Sequence, residues 1–393
     1  MRQAGAVVVG AGPSGAATAL VLSRAGHSVT VLDSAHFPRD KACGEGLMPP
    51  GVAVLRRLGV LDGVLATQAP RIRGVMYAHS RNATKAYAPF PAPADGSEPW
   101  GLGVRRTVFD AVLVDALRRA PTVMLMEGVR ATGVVRDASG RITGVATEDG
   151  PVVADVVIAA DGLHSAVRAA AGWTGEIRRG GRYGLAGHWK LDVRSLDRIT
   201  VTFAEEQEWY QAPVGPELLL VSTLSGRSRI GITARNYDAA ARAALPALAN
   251  AELAVRPLAA GQFSQRPRTV AADGLFLVGD AAGYDDPTTG EGIGIGLILA
   301  ERLGIHVAAL LSGRVDRRTA ESRYRRDHAE LLRNRRRVTA LALMMARRPG
   351  LSGRAVARAA TRPQALATLL GINCGYWGFG RLTARDWLTL AGF

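Results

Sequence analysis

Three glycines and one aspartate near the start of the sequence have the spacing of a dinucleotide-binding site. Gly10, Gly12 and Gly15 form G-x-G-x-x-G directly after the valine run at 7–9. The first glycine permits a sharp turn, the second lets a phosphate approach the backbone, and the third lets a helix pack on the strand. Asp33 ends the next apolar run, where a carboxylate can accept hydrogen bonds from a ribose. Such an acid favours a free ribose hydroxyl, and therefore NAD or FAD over NADP.

Two further acids follow apolar runs, and they favour FAD over NAD. Asp161 and Gly162 end one run, and Gly279 and Asp280 end another, before a glycine-rich stretch at 290–292. A carboxylate at the end of a buried strand can accept hydrogen bonds from the hydroxyls of a polyol chain. A helix that begins near 290–292 would direct its N–H groups and positive dipole at an anionic ligand, such as the pyrimidine side of reduced flavin.

The stretch "FPRDKACGEGLMPP", residues 37–50, carries reactive side chains just after the strand that ends in Asp33. Its glycines would allow a close backbone approach to a flat ring, and its final prolines precede a predicted helix. Arg39 and Lys41 are expected partners for phosphate or flavin carbonyl oxygens. Cys43 and Glu45 either line the pocket or belong to a purely structural turn.

These residues require an α/β framework with a second, mainly antiparallel lobe. The first 33 residues predict strand, glycine turn, helix and strand, with buried parallel strands. Residues 180–265 instead alternate like antiparallel strands, in "GLAGHWKLDV", "RITVTFAEEQEWYQAPVGPELLLVSTLS" and "SRIGITAR". After residue 310 the pattern is helical.

Composition is that of a globular protein with two lobes. The chain has 393 residues, of which 48% are hydrophobic and 21% charged. Its net charge of +15 comes mainly from arginines spread along the chain, with lysine only at Lys41, Lys85 and Lys190. We find no zinc-ligand spacing and no aromatic–basic interleaving, so we predict no metal and no nucleic-acid partner. An anionic substrate or a membrane surface is a better partner for this charge.

The two cysteines, Cys43 and Cys374, predict no disulfide framework and favour a reducing cytoplasm. We identify no targeting segment, and no window reaches the ~18 uninterrupted apolar residues of a spanning helix. Residues 314–348 hold twelve arginines against four acids, followed by apolar stretches. This tail is expected to be a packed helical cap, with peripheral membrane contact as the alternative.

The three acid- and glycine-containing motifs together resemble the flavoprotein hydroxylase superfamily, whose reference fold is that of para-hydroxybenzoate hydroxylase. The resemblance covers roughly residues 1–310. It implies an FAD held at the glycine turn and at the three acids, and "RRTVFDAVL" would place Arg106 near the flavin phosphates. The cofactor-binding candidates are Gly10, Gly12, Pro13, Ser14, Gly15, Asp33, Ser34, Arg39, Lys41, Cys43, Gly44, Arg106, Val129, Asp161, Gly162, Gly279, Asp280, Pro287, Gly290, Gly292 and Ile293.

Two separated motifs indicate a branch within this superfamily. Aromatic hydroxylases usually carry histidine after G-D-A-A, where this chain has Gly283 in "GDAAGYDDPTTGEGI". That stretch and "FPRDKACGEGLMP" are both similar to the geranylgeranyl-reductase and flavin-halogenase branch. Halogenases of this branch show W-x-W-x-I-P where this chain has "WYQAP" at 209–213, so halogenation loses support. Lys85 and Lys190 could be partners of a halogenating species, but we expect instead that both lysines are solvated surface residues.

Adjacent residues of the predicted strand at 208–215 should point to opposite faces of the sheet, so one of Trp209 and Tyr210 should face the pocket. Sequence alone leaves open which of the two does so. The catalytic residue is not identified, and the pocket candidates are Cys43, Glu45, Trp209, Tyr210, Pro213 and Pro287.

The favoured reaction is that of an FAD-dependent monooxygenase. Reduced flavin and O2 would hydroxylate or epoxidise a hydrophobic, natural-product-type small molecule through a C4a-hydroperoxyflavin. A geranylgeranyl-reductase-like reduction of prenyl double bonds is the alternative, and a flavin-dependent halogenase a further one. A non-enzymatic electron carrier is disfavoured because it needs no roof over the flavin. No second complete βαβ fingerprint is present, so NAD(P)H should bind transiently or act through a separate flavin reductase.

The predicted fold class is α/β (α+β): a Rossmann-type FAD-binding domain, an interleaved antiparallel β-sheet substrate domain and a C-terminal helical region. The FAD-binding domain would be discontinuous, at 1–75, 102–180 and 270–310. Residues 76–101 and 181–269 would form the substrate domain, and 311–393 the helical region. The expected location is the cytoplasm, with membrane association as an addition.

Overall fold

The computed structural model describes residues 4–81, 84–93, 96, 99–177 and 181–393. In chain order the strands are β1 Ala4–Val9, β2 Val29–Asp33, β3 Gly46–Leu47, β4 Arg71–Ile72, β5 Gly74–His79, β6 Lys85–Pro89, β7 Gly101–Gly103, β8 Val123–Glu127, β9 Ala131–Arg136, β10 Ile142–Thr147, β11 Gly150–Ala159, β12 Tyr183–Lys190, β13 Arg198–Ala204, β14 Gln207–Gly215, β15 Leu218–Ser225, β16 Glu252–Ala260, β17 Ala271–Ala272 and β18 Leu275–Leu277. The helices are α1 Pro13–Arg24, α2 Pro49–Arg57, α3 Leu61–Leu65, α4 Arg106–Arg119, α5 Ala166–Ala170, α6 Arg227–Arg235, α7 Tyr237–Ala244, α8 Gly292–Leu311, α9 Arg317–Ala346, α10 Pro349–Thr361, α11 Gln364–Asn373 and α12 Ala384–Leu390.

The first sheet is the predicted Rossmann-type sheet. Its strand order is β17-β18-β11-β1-β2-β8, and β18, β11, β1, β2 and β8 run parallel. The central strands are buried because their valine and isoleucine runs are covered by helices, chiefly α1, α4 and α8. The glycine turn after β1 and the acids at the ends of β2 and β11 therefore meet at the carboxyl edge of this sheet.

The second sheet roofs that edge. Its order is β16-β12-β15-β14-β13-β5-β6, and all neighbours are antiparallel except β13 and β5. Strands β5 and β6 come from early in the chain, whereas β12 to β16 come after residue 180, so this lobe is interleaved with the first. The predicted fold class is confirmed by this mixed arrangement.

One predicted strand is wrong. "SRIGITAR", residues 228–235, lies in helix α6 and is followed at once by helix α7. Each helix has two buried positions three or four residues apart, Ile230 and Thr233 on α6 and Tyr237 and Ala241 on α7, and thus one buried face. That face packs on β12 and β15, so tertiary packing favours a helix where a short stretch had the alternation of a strand.

The C-terminal region is helical, as predicted. Helix α8 is long and apolar enough to cross a bilayer by length and composition, but half of its apolar window is buried in the fold. It packs against α1 in the core of the first lobe, which accounts for its apolar character. Helix α9 packs along α8, and α10 and α11 cover the outer strands β5 and β6 of the second sheet.

Candidate functional site

The glycine turn after β1 has the geometry of a phosphate cradle. Gly10 has φ +101°, a left-handed conformation that glycine adopts without strain. A Cβ on Gly15 would lie 1.8 Å from the carbonyl oxygen of Gly10, so only glycine lets α1 approach β1 this closely. A Cβ on Gly12 would meet only guanidinium groups, the nearest at 3.5 Å, so its backbone is open to the cleft. The turn at Gly10, the open backbone at Gly12 and the close packing at Gly15 agree with the predicted geometry, and the approach of a phosphate stays a prediction.

Three basic side chains converge on this cradle. The guanidinium of Arg39 lies 3.5 Å, and that of Arg106 3.8 Å, from where a Cβ of Gly12 would be. The ammonium of Lys41 lies 3.0 Å from the corresponding point on Gly162. Such an arrangement is suited to a pyrophosphate, because cations lie beside a glycine turn at the N-terminus of a helix.

The guanidinium of Arg106 also forms an ion pair within the protein. Arg106 donates two hydrogen bonds, of 2.8 and 2.7 Å, to the buried carboxylate of its i+4 neighbour Asp110. Asp110 lies 3.5 Å from Arg39 as well. One buried carboxylate thus orients two of the three cations.

The three acids lie at this edge of the sheet. Asp33 accepts hydrogen bonds from the backbone N–H of Ala11 at 2.8 Å and of Ala35 at 2.9 Å, which fixes the glycine turn, and its Oδ2 also lies 3.5 Å from the guanidinium of Arg39. Asp161 accepts one from Val167, and its Oδ1 is buried with no partner among the described residues. An unpartnered buried acceptor is costly unless a ligand donates to it.

A cleft of about 610 Å³ joins these groups, which is within the range of cofactor sites. Every predicted cofactor-binding residue except Gly15, which packs beneath the turn, lines it. Phosphate cradle, converging cations and an unpartnered acid fit the pyrophosphate and hydroxyls of FAD. Individual roles within the cleft stay predictions.

The loop after β2 is fixed by a carboxylate–histidine contact that the sequence did not reveal. Glu45 adopts φ +52°, a conformation that is strained for a residue with a side chain. Its carboxylate accepts a 2.8 Å hydrogen bond from the backbone N–H of Arg106 and lies 2.7 Å from Nε2 of His188 on β12. The pair joins the two lobes beside the cleft, so Glu45 is first a positioning residue of this loop.

Cys43 lines the same part of the cleft as Glu45. Burial raises the pKa of its thiol, and the nearby Arg106 guanidinium opposes that shift. The side chain of Cys43 is therefore a protonated thiol, not a thiolate, near neutral pH.

Helix α8 begins where the flavin ring is expected. Gly290 adopts φ +66° and turns the chain into the helix, whose first residues Gly292 and Ile293 line the cleft. Glu291 is buried at this end, 3.3 Å from the guanidinium of Arg335 on α9. Burial raises the pKa of Glu291 to about 7, although Arg335 acts in the opposite direction. The charge of Glu291 at the start of α8 thus depends partly on Arg335, which belongs to the C-terminal region.

The orientation of strand β14 shows which of Trp209 and Tyr210 faces the pocket. Tyr210 lines the cleft. Trp209 is wrong as a pocket candidate, because it lies on the opposite face, packed against Tyr237 in the core under α6 and α7. Pro213 is also not among the residues that line the cleft, and its carbonyl oxygen lies against Gly103.

Tyr210 belongs to a buried polar network that sequence reasoning missed. Its hydroxyl lies 3.1 Å from Oγ1 of Thr288 and donates to the carboxylate of Glu208 at 3.2 Å. Glu208 is paired with Arg182, and Arg182 lies 3.7 Å from Asp286. Alternation along β14 could have identified Glu208, since residues two apart share a face.

Burial raises pKa values in this network. It raises the pKa of the Tyr210 hydroxyl well above its usual range and that of Asp286 to about 6. The guanidinium of Arg182 opposes both shifts. Near neutral pH the Tyr210 hydroxyl therefore carries its proton.

A second cavity, of about 120 Å³, continues from the cleft. Ile199, Tyr210 and Gly290 line both spaces, so the two meet beside the expected flavin ring. Its walls come from β5, β13, α9, α10, α11 and α12, and among the described residues that line it none is charged. Most of the lining is apolar, and its polar side chains are Tyr77, Tyr210, Thr288, Thr289, Ser352 and Asn373, so a ligand here would be largely apolar. Lys85 and Lys190 line neither space; both are exposed, and Lys190 pairs with Glu252 at 3.0 Å.

Comparison with known proteins agrees with this geometry. Residues 3–334 match the family described as FAD binding domain. Menaquinone reductase of Mycolicibacterium smegmatis is 33% identical over 315 residues, which cover 75% of this chain and 74% of that protein. Squalene monooxygenase of Rattus norvegicus is 26% identical over 74% of this chain and 52% of that longer protein. The solved structure of flavin-dependent brominase Bmp2 superimposes with a TM-score of 0.81 at 19% identity, over 98% of this chain and 97% of that one; this likeness concerns the fold.

Proposed function

The chain belongs to the FAD-binding-domain family of flavoprotein oxidoreductases, and from that premise we propose that it is a monooxygenase acting on a hydrophobic, isoprenoid-like small molecule. The observation that carries the substrate class is the uncharged cavity that meets the cleft at Tyr210 and Gly290. A cavity whose walls are largely apolar favours an apolar ligand, because little polar surface loses its contact with water when the ligand binds.

Each part of the site has a role in this proposal. The glycine turn and the cations Arg39, Lys41 and Arg106 would hold the pyrophosphate, and Asp161 and Asp280 the hydroxyls next to it. The start of α8 would stabilise negative charge on the pyrimidine side of the ring. When bound and reduced, FAD supplies the electrons that activate O2. The residues of the chain bind, orient and keep the site dry.

A second candidate is reduction of a prenyl double bond, and a specific observation favours it. Such a reduction adds a hydride equivalent to one alkene carbon and a proton to the other. Tyr210 is protonated at the junction of the two spaces, with Thr288 and Glu208 behind it to return the proton. The similarity to menaquinone reductase supports this candidate, and the similarity to squalene monooxygenase supports oxygenation. Halogenation is the weakest candidate, because Lys85 and Lys190 line neither space.

The partners of the reaction are part of the same proposal. The reductant is NAD(P)H, bound transiently at the open side of the cleft or acting through a separate flavin reductase. The small organic substrate and O2 meet at the flavin ring. Association with a membrane would bring the enzyme to an apolar substrate that is sparingly soluble in water.

The test of the proposed function is the oxygen dependence of turnover. Purified holoenzyme is incubated with NAD(P)H, a general flavin reductase and a panel of polyisoprenoids, in air and under anaerobic conditions. Product that forms only in air and carries an added oxygen atom is the expected result. A hydrogenated product that forms equally well without oxygen would replace oxygenation by the second candidate.

A cavity-filling variant provides the control for the substrate site. Ala359→Trp adds bulk to the wall of the second cavity, more than 20 residues away in sequence from any predicted FAD-binding residue. Its FAD content should equal that of the wild type, while turnover of long isoprenoids falls by roughly tenfold or more. Unchanged turnover would show that substrate does not use this cavity.

A further inference from the structure

The last 57 residues, 337–393, have an unusual charge distribution. They contain eight arginines and one acid, and thus seven of the fifteen net positive charges of the chain. The single acid, Asp386, is engaged in a capping box with Thr383 at the start of α12. All eight arginines are exposed, namely Arg337, Arg347, Arg348, Arg354, Arg358, Arg362, Arg381 and Arg385. This region therefore presents positive charge that its own acid does not neutralise.

Large apolar side chains are exposed among these arginines. Trp387, Leu388 and Phe393 are 42%, 54% and 67% exposed, and Met344 on α9 is 37% exposed. Three of the four lie within the last seven residues of the chain. Exposed tryptophan, leucine and phenylalanine beside arginines are typical of segments that lie in a membrane interface.

The same helices form the wall of the apolar cavity. On α12, Leu390 lines the cavity while Leu388 is exposed; on α9, Met345 lines it while Met344 is exposed. A single layer of helices thus separates the apolar cavity from the exposed apolar residues. An apolar molecule of the kind that suits this cavity partitions from water into a bilayer.

We propose that residues 337–393 form a docking face that binds an anionic lipid bilayer and admits membrane-dissolved substrate to the cavity between α9 and α12. Arginines would contact lipid phosphates, and Trp387, Leu388 and Phe393 would enter the headgroup region. Docking itself is independent of the reaction; only the passage of substrate rests on the proposed function. An acidic protein partner would account for the arginines, but not for an apolar cavity directly behind the same helices.

The test measures binding of the holoenzyme to lipid vesicles by cosedimentation, without turnover. Vesicles of phosphatidylcholine alone are compared with vesicles that also contain phosphatidylglycerol. The wild type should bind the anionic vesicles, and added salt should weaken that binding. Arg354→Glu with Arg358→Glu, and separately Trp387→Ser with Leu388→Ser, should each reduce the partition coefficient by roughly tenfold or more.

Matched variants away from the docking face control for charge and hydrophobicity. Arg56→Glu with Arg119→Glu changes two exposed arginines of the first lobe, and Met124→Ser with Ile232→Ser changes two exposed apolar residues. These should bind vesicles within about twofold of the wild type, with FAD content unchanged in every variant. The proposal fails if the wild type does not bind anionic vesicles or if control and docking-face variants lose binding equally. It fails equally if soluble polyglutamate binds the protein while vesicles do not.

Discussion

At the scale of single residues, the site is organised by buried ionisable groups, each of which has a partner from a distant part of the chain. Asp110 holds the cradle arginines, Glu45 pairs with His188 across the two lobes, and Glu291 pairs with Arg335 of the C-terminal region. A buried pair of this kind adds little net stability, but removal of one partner leaves a buried charge and is costly. These pairs therefore fix geometry more than they stabilise the fold.

Glu291 gives a prediction about stability and pH. Burial raises its pKa from 4.5 to about 7, opposed by Arg335. The folded protein thus binds more protons than the unfolded chain between these pH values, and the stability contributed by Glu291 falls as pH rises through that window. Glu291→Gln cannot ionise. Its free energy of unfolding relative to the wild type should therefore rise by up to about 3 kcal/mol from pH 4.5 to pH 7.

Urea unfolding of the holoenzymes across this pH range measures the difference. Asp286, whose pKa is also raised, is present in both proteins and cancels. Glu252→Gln, which changes a carboxylate that is largely exposed and lies outside the site, is the matched control variant. A flat difference for Glu291→Gln would mean that this carboxyl is ionised throughout the window.

At the scale of elements, strand β14 separates structural from functional residues by its alternation. Trp209 packs under α6 and α7, and the next residue, Tyr210, faces the cleft. The helices α6 and α7 form because their buried positions recur every three to four residues, which supplies the surface that Trp209 needs. Neighbouring substitutions in this strand should therefore have different kinds of effect.

Trp209→Ala should destabilise the fold by roughly 3–5 kcal/mol, because it leaves a cavity in a core that is closed by Trp189 and Tyr237. Tyr210→Phe keeps the ring and removes one hydroxyl, so its cost should be about 1 kcal/mol. Chemical denaturation of the two variants gives both values. Comparable losses for the two residues would contradict the register of β14.

Tyr210→Phe also has a kinetic readout that a structural role would not change. If the hydroxyl delivers a proton, kcat should fall while KM for the substrate stays within about twofold of the wild type, and the solvent deuterium isotope effect on kcat should disappear. If the hydroxyl only shapes the junction of the two spaces, KM changes instead.

At the scale of the whole molecule, the sequence predicts the cofactor lobe better than the substrate lobe. The glycine turn and the acids Asp33, Asp161 and Asp280 are local signals, because each lies at the end of a strand or the start of a helix. The network of Arg182, Glu208, Asp286 and Thr288 joins segments that are far apart in sequence, so alternation along β14 indicates Glu208 but no local pattern reveals its partners. Similarly, the apolar cavity exists only because the C-terminal helices cover the second sheet.

The central claim is that the flavin of this protein delivers oxygen to a substrate held in the apolar cavity. The most direct measurement is a single turnover of prereduced holoenzyme, loaded with a polyisoprenoid and mixed with isotopically labelled O2, followed by mass spectrometry of the product. The account predicts one labelled oxygen atom per product molecule and less product from Ala359→Trp. A product that gains two hydrogen atoms and no label would contradict it and would show that the protein is a prenyl reductase.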